Sequence, residues 1–215
     1  MTSTAVPDLG PLNPALAGVS AELRIRSRSH EQIYGNAMSW GLEVGYGLSE
    51  RSEMFLQARE TSADDGRVRV GAAYVPALDT ELDVFGRFSG YDTYAWEVGY
   101  RHFFGDGRRV RPFIAARLGA TETDVIRATF EIPDAAITIP NAPFYDKDWA
   151  LSGGLEAGAQ ISFTERFSMT LATGVNYIGD LSDHDSAIAG LGLASINDTG
   201  SRVSVPLSIT GRWDF

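Results

Sequence analysis

The sequence has no cysteine, which rules out both disulfides and thiolate metal sites. It has no run of eighteen apolar residues, so a transmembrane helix is excluded on length and any membrane crossing must be made by strands. Basic residues are scarce, 18 against 28 acidic ones for a net charge of −10, which argues against a nucleic-acid partner held through its phosphates. Long amphipathic helical runs are missing as well. The first eighteen residues, MTSTAVPDLGPLNPALAG, contain neither the basic start nor the continuous apolar core of a secretory signal.

What the chain does have is alternation. Segments at about 18–29, 37–48, 53–61, 66–75, 80–90, 93–103, 110–122, 148–161, 166–178 and 203–215 place apolar and polar residues on opposite faces, the period of a strand between two unlike environments. Short turns follow the second, fourth, sixth and eighth segments, at 49–52, 76–79, 104–109 and 162–165. The longest links are 124–147 and 179–200. Ten antiparallel strands joined this way predict an all-β fold, a closed up-and-down transmembrane barrel of ten strands with eight or twelve as alternatives. Residues 128–139, β-prone but broken by Pro133, predict an external hairpin extending the strands on either side. A division of 1–17 as an N-terminal segment and 18–215 as one barrel domain follows.

The two faces have different chemistry. The polar faces carry Arg24, Arg26, Glu43, Arg59, Arg69, Asp83, Arg87, Glu97, Arg101, Arg117, Glu156 and Arg212, which predict a charged lumen. In a small barrel such side chains either pair and fill the interior or line a narrow anion-preferring pore. A soluble sandwich or ligand-binding barrel would instead turn the apolar faces inward. Aromatic placement favours the membrane reading. Trp40, Tyr94, Trp96, Trp149 and Tyr177 fall near the long-loop ends of their segments, and Tyr46, Tyr74, Tyr100, Phe167 and Trp213 near the short-turn ends, as two interfacial belts would.

The C-terminal stretch VSVPLSITGRWDF alternates to its last residue and ends with Trp213 and Phe215. In this it resembles the C-terminal signature of Gram-negative outer-membrane β-barrel proteins, small porin-like or OmpA-type barrels, without naming a subfamily. The resemblance implies an exported protein whose signal is already removed, located in the cell outer membrane among its lipids and lipopolysaccharide. It further implies that the assembly machinery reads the last strand through Phe215, that the N-terminus and short turns are periplasmic, and that the long loops face outward.

No catalytic or metal-ligating set is readable, so neither an enzyme nor a cofactor is expected. Asp183, His184 and Asp185 share a long loop, in composition and position like the rim residues of omptin proteases, but this chain is markedly shorter than an omptin and shows no second aspartate pair. Asp64, Asp65, Asp180, Asp183, Asp185 and Asp198 are oxygen ligands of the kind calcium takes, without the spacing of a dedicated site. A structural or surface-interaction barrel and a narrow porin-like channel remain the two leading readings, with an outer-membrane enzyme third.

Overall fold

Two antiparallel sheets, stacked end to end along the same chain path, organise the molecule. The computed structural model describes residues 2–105, 109–184, 186 and 201–215. Its strands are β1 (Thr2–Val6), β2 (Ala21–Ile25), β3 (Met38–Ser49), β4 (Ser52–Ala63), β5 (Gly66–Val75), β6 (Thr80–Phe88) and β7 (Tyr91–Phe103). They continue with β8 (Val110–Thr123), β9 (Ile126–Ile132), β10 (Ile137–Tyr145), β11 (Asp148–Ser162), β12 (Phe167–Ile178), β13 (Arg202–Ser204) and β14 (Leu207–Trp213). One short helix, α1 (His30–Tyr34), starts with a capping box in which Ser29 and Gln32 exchange side-chain and backbone hydrogen bonds.

All ten alternating segments are extended, but they do not lie in one sheet, and this corrects the expectation of a single ten-stranded ring. The long strands form a wall in the order β3-β4-β7-β8-β11-β12, with β13 and β14 both pairing to the far side of β12. The remaining strands form a second sheet, the crown, in the order β1-β2-β5-β6-β9-β10. Among the described residues no pairing joins β3 to β14, so the wall is not closed by hydrogen bonds.

The register shows how the sheets relate. Ser52 pairs with His102, Ala63 with Tyr91, Gly66 with Phe88 and Arg69 with Phe85, one continuous antiparallel ladder interrupted only at Asp64–Asp65. Each crown strand of this hairpin therefore prolongs a wall strand. β8–β9 and β10–β11 repeat the arrangement, from Val110 opposite Ile161 up to Ile132 opposite Ile137, with bulges in the crown part. The hairpin foreseen around Pro133 is this β9–β10 pair.

Both crown hairpins turn through the same device. Pro76–Leu78 and Pro133–Ala135 form one 3-10 turn each, with proline supplying the preset φ of the first position. Asp79 and Ala136 follow with φ of 47° and 50°. A third such turn, Pro14–Leu16, capped by Asn13 and followed by Gly18 at φ 78°, lies in the link from β1 to β2. The turn at 76–79 is thus at the crown end, not at the end shared by the short wall turns 50–51 and 163–166.

Residues 2–17, expected as a segment apart from the strands, instead supply β1 and the tucked-in Leu9, which is buried in the crown. Leu9 packs in an apolar core with Val6, Leu23, Ile25, Val70, Val84, Phe88, Ile126, Ile132 and Phe144. The crown thus obeys the rule of a water-soluble sheet, apolar inside and charged outside. The wall obeys the opposite rule.

Candidate functional site: the charged interior of the wall

Strand β7 displays the inversion most cleanly. Tyr91, Thr93, Ala95, Glu97, Gly99, Arg101 and Phe103 are buried, while Tyr94, Trp96, Val98 and Tyr100 between them are exposed. The same holds around the wall, where Leu42, Val44, Leu118, Leu151, Leu155 and Ile209 are among the many large apolar side chains facing outward. Inner faces of strands that are not neighbours touch, as Arg212 of β14 does Glu53 of β4, so the wall is strongly curved around this interior.

The interior is built in layers. Towards the short-turn end, Phe55, Phe103, Phe113, Ala115 and Ala172 form a small apolar cluster. The Arg101 guanidinium stacks on it, 4.7 Å from the Phe55 ring centre and 5.0 Å from that of Phe113. Room for Phe55 comes from Gly99, where a Cβ would sit 2.1 Å from the ring. Arg101 then donates to Glu43 at 2.9 and 3.0 Å and to Glu53 at 2.5 Å, and Arg212 donates to the second oxygen of Glu53 at 2.5 Å.

A second layer centres on Glu97, whose side chain is 1% exposed. Arg59 approaches it at 3.3 Å and the Arg117 Nε at 3.0 Å, and Arg117 also reaches Glu156 at 3.0 Å and Asn176. Ser152 donates to Glu97 at 3.4 Å. Above this layer, Arg202 contacts Tyr91 and Thr123, and the rings of Tyr91, Tyr34 and His30 stack edge to face or tilted against one another. Buried charges are tolerated here because each carboxylate faces at least one guanidinium; without that pairing their desolvation would be prohibitive.

Of the residues expected in a charged lumen, the structure brings together Glu43, Arg59, Glu97, Arg101, Arg117, Glu156 and Arg212. It places the other five elsewhere. Arg24 pairs with Glu22 and Glu81, and Arg69 with Asp83, on the partly exposed outer face of the crown. Arg87 is exposed on the same sheet, and Arg26 lines a cavity of about 70 Å³ between α1 and the crown strands, beside Tyr34, Phe88 and Phe130. Their segments alternate as the wall strands do, but with the apolar face turned inward. Period alone does not say which face is inside.

Nine of the ten aromatics expected in belts lie on wall strands. Trp40, Tyr94, Trp96, Trp149 and Tyr177 sit towards the crown end, and Tyr46, Tyr100, Phe167 and Trp213 towards the turn end, all but the partly buried Phe167 exposed. Tyr74 is the exception, a crown residue that donates to Asp79 at 2.8 Å and stacks under Arg24. Asn176 and Arg202 join this interior from polar faces the alternation does mark, whereas Glu53 and Tyr91 are not foreseen. Glu53 was legible, since it stands two positions before Phe55 and so shares its face.

The loop candidates are modest. His184 meets Asp146 at 2.8 Å in a partly exposed position, and Asp183 makes an isolated bridge to Tyr145. Asp185 and Asp198 lie outside the described residues. Among the described residues no group of three or more His, Asp or Glu side chains is arranged to hold a metal ion. No protein-family model matches the chain, and no curated protein matches it in sequence.

Proposed function

We propose that the protein is an integral β-barrel of a bacterial outer membrane whose wall spans the bilayer and whose crown stands outside it as a structured platform for surface interactions. The observation that carries this reading is the reversal of face between two halves of the same hairpins. In β4 and β7 the exposed face is Met54, Leu56, Tyr94, Trp96 and Val98, whereas in β5 and β6 it is Arg67, Arg69, Glu81 and Arg87. The reversal falls at Asp64–Asp65 and Ser89–Gly90, on one continuous ladder. A single solvent gives no reason for such a change, and a lipid-to-water boundary at that level does.

Wall strands of 12 to 15 residues from β3 through β12 suit a tilted crossing of about 30 Å. Aromatic rings at both ends of an aliphatic middle suit two interfaces. On this reading outer-membrane lipids and lipopolysaccharide surround the wall. The outer-membrane assembly machinery engages the C-terminal strand ending at Phe215, and the N-terminal residues 2–17 belong to the outer platform rather than to the periplasm.

The interior favours a filled barrel over a channel, because the Phe55, Phe103 and Phe113 cluster and the two ion-pair layers occupy it from several strands at once. The test has two steps. Unboiled protein from the outer-membrane fraction should migrate faster than boiled protein on a denaturing gel, and protein in planar bilayers should leave the membrane sealed. A soluble protein without the shift would sink the membrane reading. Steady anion-selective steps would replace the plug with the narrow channel.

A further inference from the structure

Among the described residues the wall has an open seam between β3 and β14, and the registers define what would fill it. Six successive antiparallel pairings lead from β3 through β4, β7, β8, β11 and β12 to β14, so β3 and β14 run in the same direction. Two edges that run the same way cannot close an antiparallel ring, which requires an even number of strands. One strand of the opposite direction, antiparallel to both, completes it.

Burial marks the same place independently. On β7 and β8 the inner face is mostly buried, but on β3 the inward positions Ser39, Gly41, Gly45 and Gly47 are exposed, and so is Thr210 on β14. These are the faces that flank the open seam.

The crown says where the missing strand comes from. Every other crown strand prolongs or feeds a wall strand: β5 and β6 join β4 and β7, β9 and β10 join β8 and β11, and β2 leads through α1 into β3. Among the described residues β1 alone has no wall strand joined to it. It sits beside β2, as a strand in the seam would sit beside β3, and it runs antiparallel to β2, the direction that strand needs. Ile178 and Arg202 pair with each other at the crown end of the wall, so the chain leaves β12 and enters β13 on the same side.

We infer that the seam between β3 and β14 is filled by one further strand of this polypeptide, about twelve residues to match β3, running from the turn end and leading through a short link directly into β1 at Thr2. Resting on the barrel reading above, the inference completes eight wall positions. It also specifies the strand's character, apolar side chains outward and small or polar ones towards the glycines of β3.

The test begins with the protein isolated from its native membrane, read by intact mass and N-terminal sequencing. At least about fifteen residues are expected ahead of Thr2. A native chain that starts at Met1 yet still shows the heat-dependent shift would leave the barrel standing and overturn this strand.

The absence of cysteine permits a second arm. Cysteine pairs combining Leu42, Val44 or Tyr46 with Leu207 or Ile209 should form no disulfide within the chain, since an intervening strand holds the edges about 9.6 Å apart, beyond disulfide reach. They should instead accept a cross-linker of about 10 Å. A disulfide within one chain would mean direct β3–β14 contact, one between chains would mean a second copy in the seam, and either would overturn the inference. Residues found beyond Phe215 in place of residues before Thr2 would do the same.

Discussion

Glu53 and Arg101 stand directly opposite each other on the β4–β7 ladder, and their side chains meet at 2.5 Å with both almost fully buried. Arg101 is the common partner of Glu43 and Glu53, and it also covers the rings of Phe55 and Phe113. One side chain therefore couples the apolar cluster to the lower ion-pair layer.

Replacing Arg101 by alanine leaves two carboxylates facing each other in the interior, with Arg212 as the remaining neighbour of Glu53. Removing one partner of a buried pair costs about 3–5 kcal/mol. The midpoint of urea unfolding of the detergent-folded protein should fall accordingly. Arg101→Ala combined with Glu53→Gln should recover part of the loss, because one uncompensated charge is gone. An unchanged midpoint in the single variant would show that the layer contributes nothing to stability.

Leu155 lies near the middle of β11, points outward and is largely exposed. If the wall face meets lipid, Leu155→Arg costs about 2–4 kcal/mol, the depth-dependent penalty for a cation near the bilayer midplane. If it meets water, a surface substitution changes stability by no more than about 0.5 kcal/mol. Unfolding in lipid vesicles separates the two outcomes. The exposed crown residue Arg87 serves as control, since Arg87→Leu should be nearly silent in either case.

Gly99 is required by its neighbour rather than by its backbone. A Cβ there would overlap the Phe55 ring at 2.1 Å, and the ring is itself held under Arg101. Gly99→Val should reduce the folded, heat-shifted fraction, with an overpacking cost of about 1–3 kcal/mol. Adding Phe55→Leu should restore it. Failure of the second substitution to rescue would place the cause in the backbone of β7 and not in the ring.

The extended segments themselves were legible because strict alternation is a strong signal, and the wall interior followed from it: Glu97, Arg101 and Arg117 share a face by period two alone. What alternation cannot carry is the sign of the face. Arg24, Arg69 and Arg87 alternate as regularly as Arg101, yet they point out of the crown because Leu23, Val70 and Phe88 have an apolar core to join. Nor does period show whether two strands in sequence form a hairpin or one long path. Asp64–Asp65 reads as a loop, but the chain goes straight on, and Pro76 is where it turns back. The division into wall and crown depends on those continuations, which are properties of pairing between distant residues.

His30 offers a pH readout of the crown. Burial beside Tyr34 and Tyr91, with the Arg202 charge adding to it, lowers its pKa from 6.5 to about 4. The unfolded chain therefore takes up a proton on His30 below pH 6.5 that the folded protein refuses. This contribution to stability is complete above pH 6.5, declines as the pH falls to 4, and is flat below that. The loss is on the order of 3 kcal/mol across the window. His30→Phe keeps a ring against Tyr34 and Tyr91 and removes the titration. Comparing urea midpoints at pH 7.5 and 4.5, the wild type should lose more than the variant, the difference isolating His30 from the many carboxylates that also titrate. Equal losses in the two proteins would mean that His30 opens to solvent and takes its proton before the crown unfolds.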